Sequence, residues 1–442
     1  MPHSDKTPID LAPFARPDRK PPVTDVATMA RGLVGSEILK IAADIRALVR
    51  GGQQICNLTV GDFDPKHFPI PAALCDAIVA AYRAGETNYP PSNGMQELRE
   101  AVQQFYRREL GLSYPTECVL IAAGARPIIY GTYRAVVDPG DRVVYPVPSW
   151  NNNHYVHMLG AVGVPVPCDR ETRFLPSRAA LQPFIAGARL LCINSPLNPS
   201  GTAIAHDAMR EICEMVLDEN RARTTRGERP LYLMYDHIYW MLCYGETAHV
   251  TPPGIDPEMA RYTIFVDGIS KGFAATGVRV GWAVGPADVV DRMSAILGHV
   301  GAWAPRAEQV ATAKFLADTG AIRAYHATMQ RAAIARLELL HDGLVAMRED
   351  GLPVESLAPA GAIYLSARFH AFGKRTPDGT ELRTNEDVRR YLLSAAGFAI
   401  VPFQAFGVTG DDGWFRLSIG AVGEDEIRAV LPRVARALRE LR

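Results

Sequence analysis

Between about residue 95 and residue 285, short apolar runs alternate with stretches of helical spacing, and this alternation restricts the fold of the 442-residue chain more than any other feature. Six runs stand out, at 119–123, 142–146, 189–194, 231–235, 262–266 and 278–284. Runs of this kind separated by helices build an α/β fold around a mostly parallel sheet covered on both faces. The rest of the chain sorts around that block. Prolines at positions 2, 8, 13, 17, 21 and 22 mark an extended arm, residues 1–32, with no core of its own. Residues 36–50 have helical apolar spacing and stop at Gly51-Gly52. A segment 33–60 is therefore expected to form an N-terminal helix that joins a smaller domain. The large domain is expected over 61–320. Residues 305–348 read as one long helix or two, and short strands with an amphipathic helix over 424–441 place the smaller domain at 321–442.

Composition narrows the partners. The net charge is −1 with 21% charged residues, so neither nucleic acid nor an anionic membrane is expected. The cysteines, at 56, 75, 118, 168, 192, 213 and 243, form no pair of metal-ligand spacing; an odd, scattered set points to reduced thiols and a cytoplasmic protein. No apolar stretch reaches membrane-spanning length, and the Pro-rich start has no apolar core of a secretory signal. The sequon Asn57-Leu58-Thr59 is accordingly expected to be idle.

In such sheets ligands bind beyond the carboxyl ends of the strands, so the residues that follow each run carry the most information. Gly124-Ala125-Arg126 are small residues opening a helix, whose backbone N–H groups can cradle a phosphate. Trp150 can lie flat on a ring. The third run leads into a rigid turn, Ser195 to Gly201, that presents the amide of Asn198. Asp236 follows the fourth run, with Tyr239 three residues on. The fifth leads through a short turn into Lys271, with Arg279 eight residues later. Burial at a strand end lowers a lysine's pKa and makes it a nucleophilic amine. Such a lysine, beside an arginine able to hold a phosphate, is what pyridoxal phosphate chemistry requires. Near the C-terminus Arg416 sits inside an apolar strand and needs an anionic partner.

Each of these features also occurs as a plain turn, cap or core residue. Together they carry a resemblance: Leu58-Thr59-Val60-Gly61-Asp62, Asn88-Tyr89, Asn198-Pro199-Ser200-Gly201, Asp236 with Tyr239, Ser270-Lys271, Arg279 and Arg416-Leu417-Ser418, in this order. Over about residues 33–440 the chain resembles the class I/II aminotransferases of pyridoxal-phosphate fold type I, and is most similar to their bacterial aspartate and aromatic branch. The resemblance implies a large domain with a mostly parallel seven-stranded sheet, a smaller α/β domain, and pyridoxal 5'-phosphate as cofactor. It implies that Lys271 is the Schiff-base lysine, that Asp236 sits against the pyridine nitrogen, and that Tyr239 and Asn198 hydrogen-bond the ring oxygen. Trp150 would stack on the ring. Arg279, Ser270 and the amides of Ala125 and Arg126 past Gly124 would hold the phosphate. Arg416, with Gly61 and Asn198 nearby, would grip the substrate α-carboxylate. Tyr89 would reach the phosphate of a second subunit, which implies a homodimer with shared sites.

The implied reaction moves an amino group from an acidic or aromatic L-amino acid, aspartate first, to a 2-oxo acid such as 2-oxoglutarate, in ping-pong fashion. A pyridoxal-phosphate lyase or decarboxylase on the same fold is the alternative. A sensor module is disfavoured because the residues before residue 33 lack a helix-turn-helix pattern. Arg126 is the candidate for reading a distal carboxylate, or else braces the phosphate; Phe403 and Trp150 can instead line an apolar slot. Two departures from the family stand out. Gly268 replaces a frequent phosphate-binding serine, and Phe403 replaces the glycine of a Pro-Gly-x-x-Phe-Gly loop. His154 and His157 lack a third ligand in sequence, so no metal is expected. The Arg-rich stretch 220–229 reads as a solvated loop.

Overall fold

The central sheet contains seven strands. Following a two-residue strand β1 (Cys56–Asn57), these are β2 (Val119–Ala122), β3 (Arg142–Val147), β4 (Val162–Pro167), β5 (Ala188–Asn194), β6 (Tyr232–Asp236), β7 (Thr263–Gly268) and β8 (Gly281–Val284). Their order is β2-β8-β7-β6-β5-β3-β4. All pairs from β7 to β4 are parallel, while β8 runs antiparallel to both neighbours. This computed structural model describes residues 49–442, 26–33 and positions 10, 12, 41 and 45. The expected arm and the helix over 36–50 therefore lie mostly outside the described residues. Within them Thr28–Gly32 forms a short helix, and Ile41 and Ile45 are buried in one apolar cluster with Val401 and Phe403.

Successive strand residues point to opposite faces, so a sheet covered on both sides needs two cores. Ile121, Leu191, Leu233 and Phe265 belong to one; Leu120, Leu190, Met234 and Ile264 belong to the other. Six of the seven strands coincide with the apolar runs. The seventh, β4, reads Val-Gly-Val-Pro-Val-Pro and lies at the sheet edge. Proline cannot donate to a ladder, which confines it to such edges. The N–H groups of Val162 and Cys168 bond to Asp141 O and Val147 O on the β3 side. By alternation, the backbone nitrogens of 163, 165 and 167 face away from the sheet, and Pro165 and Pro167 occupy two of those positions.

A four-stranded antiparallel sheet forms a separate core. Its strands are β9 (Val354–Ser356), β10 (Tyr364–Phe369), β12 (Val401–Pro402) and β13 (Trp414–Ser418), in the order β12-β13-β10-β9; β11 (Phe398–Ala399) pairs with β1 instead. The region 305–348 resolves into two helices, Arg306–Ala317 and Thr319–Glu349. They part at Asp318, whose carboxylate accepts the Ala321 N–H at 2.9 Å and caps the second. That helix places Ile322 in the core of the large sheet and Met329, Leu337 and Leu344 in the core of the small one.

The Arg-rich stretch is not a loop through its length: the helix His206–Arg226 continues through it and ends at Gly227, whose φ is 67°. Its polar residues are internally satisfied. Asn220 bonds both Leu231 O and Leu231 N, at 2.9 and 2.7 Å, and the buried Arg223 pairs with Glu219 at 2.7 Å. Among the described residues, no helix is long and apolar enough to cross a membrane.

Candidate active site

The carboxyl ends of the central strands open onto a cavity of about 580 Å³ that also takes residues from the small sheet. Lys271 lies in the short helical turn Ile269–Gly272 that follows β7. Its Nζ donates to Gly61 O at 2.6 Å and stands 5.6 Å from the Phe63 ring and 5.8 Å from the Tyr239 ring. Burial brings its pKa down to about 8; Asp62 opposes this, while Arg416, Arg126 and Arg279 push the same way. Asp236 ends β6, and its carboxylate accepts the Ile238 N–H at 3.2 Å. Burial raises it to about 6, against the pull of that N–H and of Lys271.

Arg416, on β13, is 1% exposed. It donates through Nη1 to Asn198 Oδ1 at 3.2 Å and through Nη2 to Thr59 O at 2.6 Å, and it lies over the rings of Tyr364 and Phe406 at 4.7 and 4.8 Å. Its Nε has no hydrogen-bond partner, and no carboxylate pairs with it among the described residues. A buried guanidinium in that condition is costly until an anion arrives.

A second anion site lies where β2 meets its helix. Gly124 has a φ of 90°, and a Cβ there would run into the Arg279 guanidinium. Arg279 bonds Thr276 O at 2.7 Å and Ala123 O at 2.8 Å. The helix Ala125–Val136 begins without a side-chain cap, so its first N–H groups are left for a ligand, beside the buried Ser270. Arg126 lies over the Trp150 ring at 5.6 Å. The cavity thus gathers Arg126, Lys271, Arg279 and Arg416 against Asp62 and Asp236. An anion cradle, an amine with a lowered pKa and a lone strand-end carboxylate are the donor set that a phosphate-bearing aldehyde such as pyridoxal phosphate fits.

Of the residues singled out from sequence, Gly61, Ala125, Arg126, Trp150, Asn198, Asp236, Tyr239, Ser270, Lys271, Arg279 and Arg416 line this cavity, with Gly124 directly behind. Tyr89 does not. It is 81% exposed and packs edge-on against Trp303, in a separate depression with Asn88 and Arg306. The expectation that Phe403 lines an apolar slot is corrected: Phe403 is fully buried against Phe174, 5.0 Å between centroids, and does not reach the cavity. A Cβ at Gly268 would lie 2.7 Å from both Val280 O and Gly281 Cα, so the absence of a serine there has a steric cause. His157 bonds Met29 O at 2.8 Å.

Sequence reasoning missed Tyr364, whose hydroxyl lies 2.6 Å from that of Tyr239, and the Thr276–Asp62 hydrogen bond, also 2.6 Å. The second carried a signal, since Asp62 ends the Leu58–Asp62 motif and Thr276 lies between Lys271 and Arg279. Tyr364 carried none beyond a place in a strand.

The comparisons agree with this architecture. Residues 53–434 match the family model for aminotransferase class I and II. The chain is 33% identical over 409 residues to an aspartate aminotransferase of Rhizobium meliloti (strain 1021), covering 91% of this chain and 93% of the relative. The crystal structure of the aspartate aminotransferase from Rhizobium meliloti superposes with a TM-score of 0.85 at 30% identity, covering 94% of this chain and 99% of that one. The aspartate aminotransferase from Thermus thermophilus with maleate superposes at 0.82 and 28% identity, covering 93% and 99%. With its seven-stranded sheet, its cavity lysine and its match along most of the length, the chain belongs to the class I and II aminotransferases and is a pyridoxal-phosphate-dependent enzyme.

Proposed function

We propose that this enzyme takes the amino group of an acidic or aromatic L-amino acid, aspartate first, and passes it to a 2-oxo acid such as 2-oxoglutarate in two alternating half-reactions. The observation that carries the reading is Arg416, a buried cation with an unpartnered Nε that shares one cavity with Lys271. Its fork suits the α-carboxylate of the substrate, with Asn198 and Gly61 beside it. Pyridoxal phosphate supplies the electron sink for the pair left when the substrate's Cα–H bond breaks. Lys271 would hold it covalently, and Nζ, with a pKa near 8, is suited to take up and return the Cα proton. Asp236 would keep the ring nitrogen protonated. Tyr239 and Asn198 would bond the ring oxygen, and Trp150 would cover the ring face. Arg279, Ser270 and the Ala125 and Arg126 amides past Gly124 would hold the phosphate.

Arg126 is the cation proposed for a second carboxylate. The dicarboxylate maleate in the Thermus thermophilus relative supports an acidic substrate. Tyr89, exposed on the surface, would complete the phosphate site of a partner subunit in a homodimer. Residues 61–320 would form the large domain and 321–442, with 33–60, the small one. Seven cysteines without a disulfide support a cytoplasmic location.

A panel of amino donors tests the substrate. In Arg126→Ala, KM for aspartate, glutamate and 2-oxoglutarate should rise by about tenfold (~1.4 kcal/mol) or more, while that for phenylalanine changes little. Equal losses for all donors, with weaker cofactor binding, would assign Arg126 to the phosphate instead.

A further inference from the structure

Behind the cavity, on the far side of the sheet, lies a buried polar chain that the reaction as described does not use. Asp267, the penultimate residue of β7, is 1% exposed. Its Oδ1 accepts the Gly268 N–H at 2.7 Å. Its Oδ2 accepts both the Tyr106 hydroxyl and the Trp240 indole N–H, each at 3.0 Å. Tyr106 Oη also accepts from Trp282 Nε1 at 3.3 Å and meets His237 Nε2 at 2.8 Å. His237 Nδ1 in turn meets His249 Nε2 at 3.2 Å.

These partners come from three elements. Gly268 opens the turn that presents Ser270 and Lys271. Trp240 lies in the turn 238–241 that follows Asp236 and carries Tyr239. Tyr106 belongs to the helix Gln96–Leu110, which packs behind both. We propose that Asp267 is a positioning residue for the reaction: one buried carboxyl ties the Lys271 turn to the Asp236–Tyr239 turn and fixes their spacing from the rear. The assignment rests on the roles proposed above for Lys271 and Asp236.

The proton order supports a structural clamp. With Asp267 ionised, every donor aimed at it has an acceptor, and the chain runs in one direction from His249 through His237 and Tyr106 to the carboxylate. The titratable groups facing Asp267 are Tyr106, His237 at 3.6 Å, and Asp236 across the strand end, with His249 one step further. Burial lifts Asp267 to about 7 and holds His237 well below its ordinary value, so the pair does not act as a simple ion pair.

The test uses the holoenzyme. Asp267→Asn keeps the shape but sets an amide N–H₂ either against the Gly268 N–H or against the Tyr106 and Trp240 donors, so at least one tie is lost in either orientation. Expected results are a kcat about tenfold or more below wild type, KM for the amino donor within about twofold, and a displaced pH midpoint for the absorbance of bound pyridoxal phosphate. Tyr106→Phe and Trp240→Phe each remove one tie and should give smaller shifts in the same direction, which keeps the proposal testable if Asp267→Asn does not fold. Unchanged kcat and midpoint in folded variants, with only the melting temperature lowered, would overturn it. Lys271→Ala separates the two readings. If that variant keeps the covalent cofactor's absorption band, the assignment of the site itself fails. If it loses the band while the Asp267 and Tyr106 variants shift nothing, the positioning role alone fails.

Discussion

The hydroxyl of Tyr239, in the turn after β6, lies 2.6 Å from the hydroxyl of Tyr364 on β10, so a hydrogen bond inside the cavity joins the large-sheet side to the small sheet. Both phenols are held above their ordinary pKa, chiefly by burial. Tyr364→Phe leaves Tyr239 without its partner, a loss of about 1–3 kcal/mol if no water replaces it. We expect kcat to fall roughly tenfold or more and the pH midpoint of the bound cofactor's absorbance to move. Steady-state kinetics and a spectral titration check both.

The amine of Lys271 should become reactive well below the range of an exposed lysine. Burial brings it to about 8, so the neutral form gains as pH rises toward that value. Covalent uptake of pyridoxal phosphate by the apoenzyme should accelerate about tenfold per pH unit on the acid side and level off above the midpoint. Arg126 contributes to the depression, so Arg126→Ala should move the midpoint upward. A rate independent of pH from 6 to 9 would contradict this assignment.

Placing a serine at position 268 should harm this protein. The new Cβ would meet Val280 O and Gly281 Cα at 2.7 Å, and neither backbone atom can swing aside. Overpacking of this kind costs about 1–3 kcal/mol. Gly268→Ser should therefore lower the melting temperature of apo and holo forms and loosen cofactor retention. A stabilised holoenzyme would show that the strand pair yields.

Subunit exchange tests the proposed role of Tyr89. A Lys271→Ala/Arg279→Ala chain is expected to be inactive and a Tyr89→Phe chain strongly impaired. Mixed and allowed to exchange, they should regain activity, because one hybrid site keeps all three residues. A monomer that is fully active at assay concentration would rule the arrangement out.

Legibility in the sequence followed burial. Strands β2, β3 and β5 to β8 announced themselves because both of their faces are covered, which makes them apolar without interruption. The edge strand β4 did not, since solvent on one side admits Pro165 and Pro167. The site residues at strand ends stood out because Lys271, Asp236 and Arg416 are charges in apolar surroundings. Tyr364 was invisible for the opposite reason: a tyrosine in a strand is ordinary, and only its approach to Tyr239 from a distant part of the chain gives it a role. The helix through Arg223 was missed because a buried arginine satisfied by Glu219 and by the Ile185 carbonyl looks, in sequence, like one more solvated charge.

The outer rim of β4 bears on how copies of this protein can meet. Of its three outward-facing backbone nitrogens, only that of Gly163 carries a hydrogen. The opposite rim is also occupied, with Ile121 N bonded to Asn93 O and Ala123 N to Ala302 O. An eighth strand from a neighbouring molecule would find almost no donors to zip onto at one side and a loop already in place at the other. Crowded or partly unfolded preparations should thus resist growth by sheet extension, and productive association is left to side-chain surfaces such as the one that displays Tyr89.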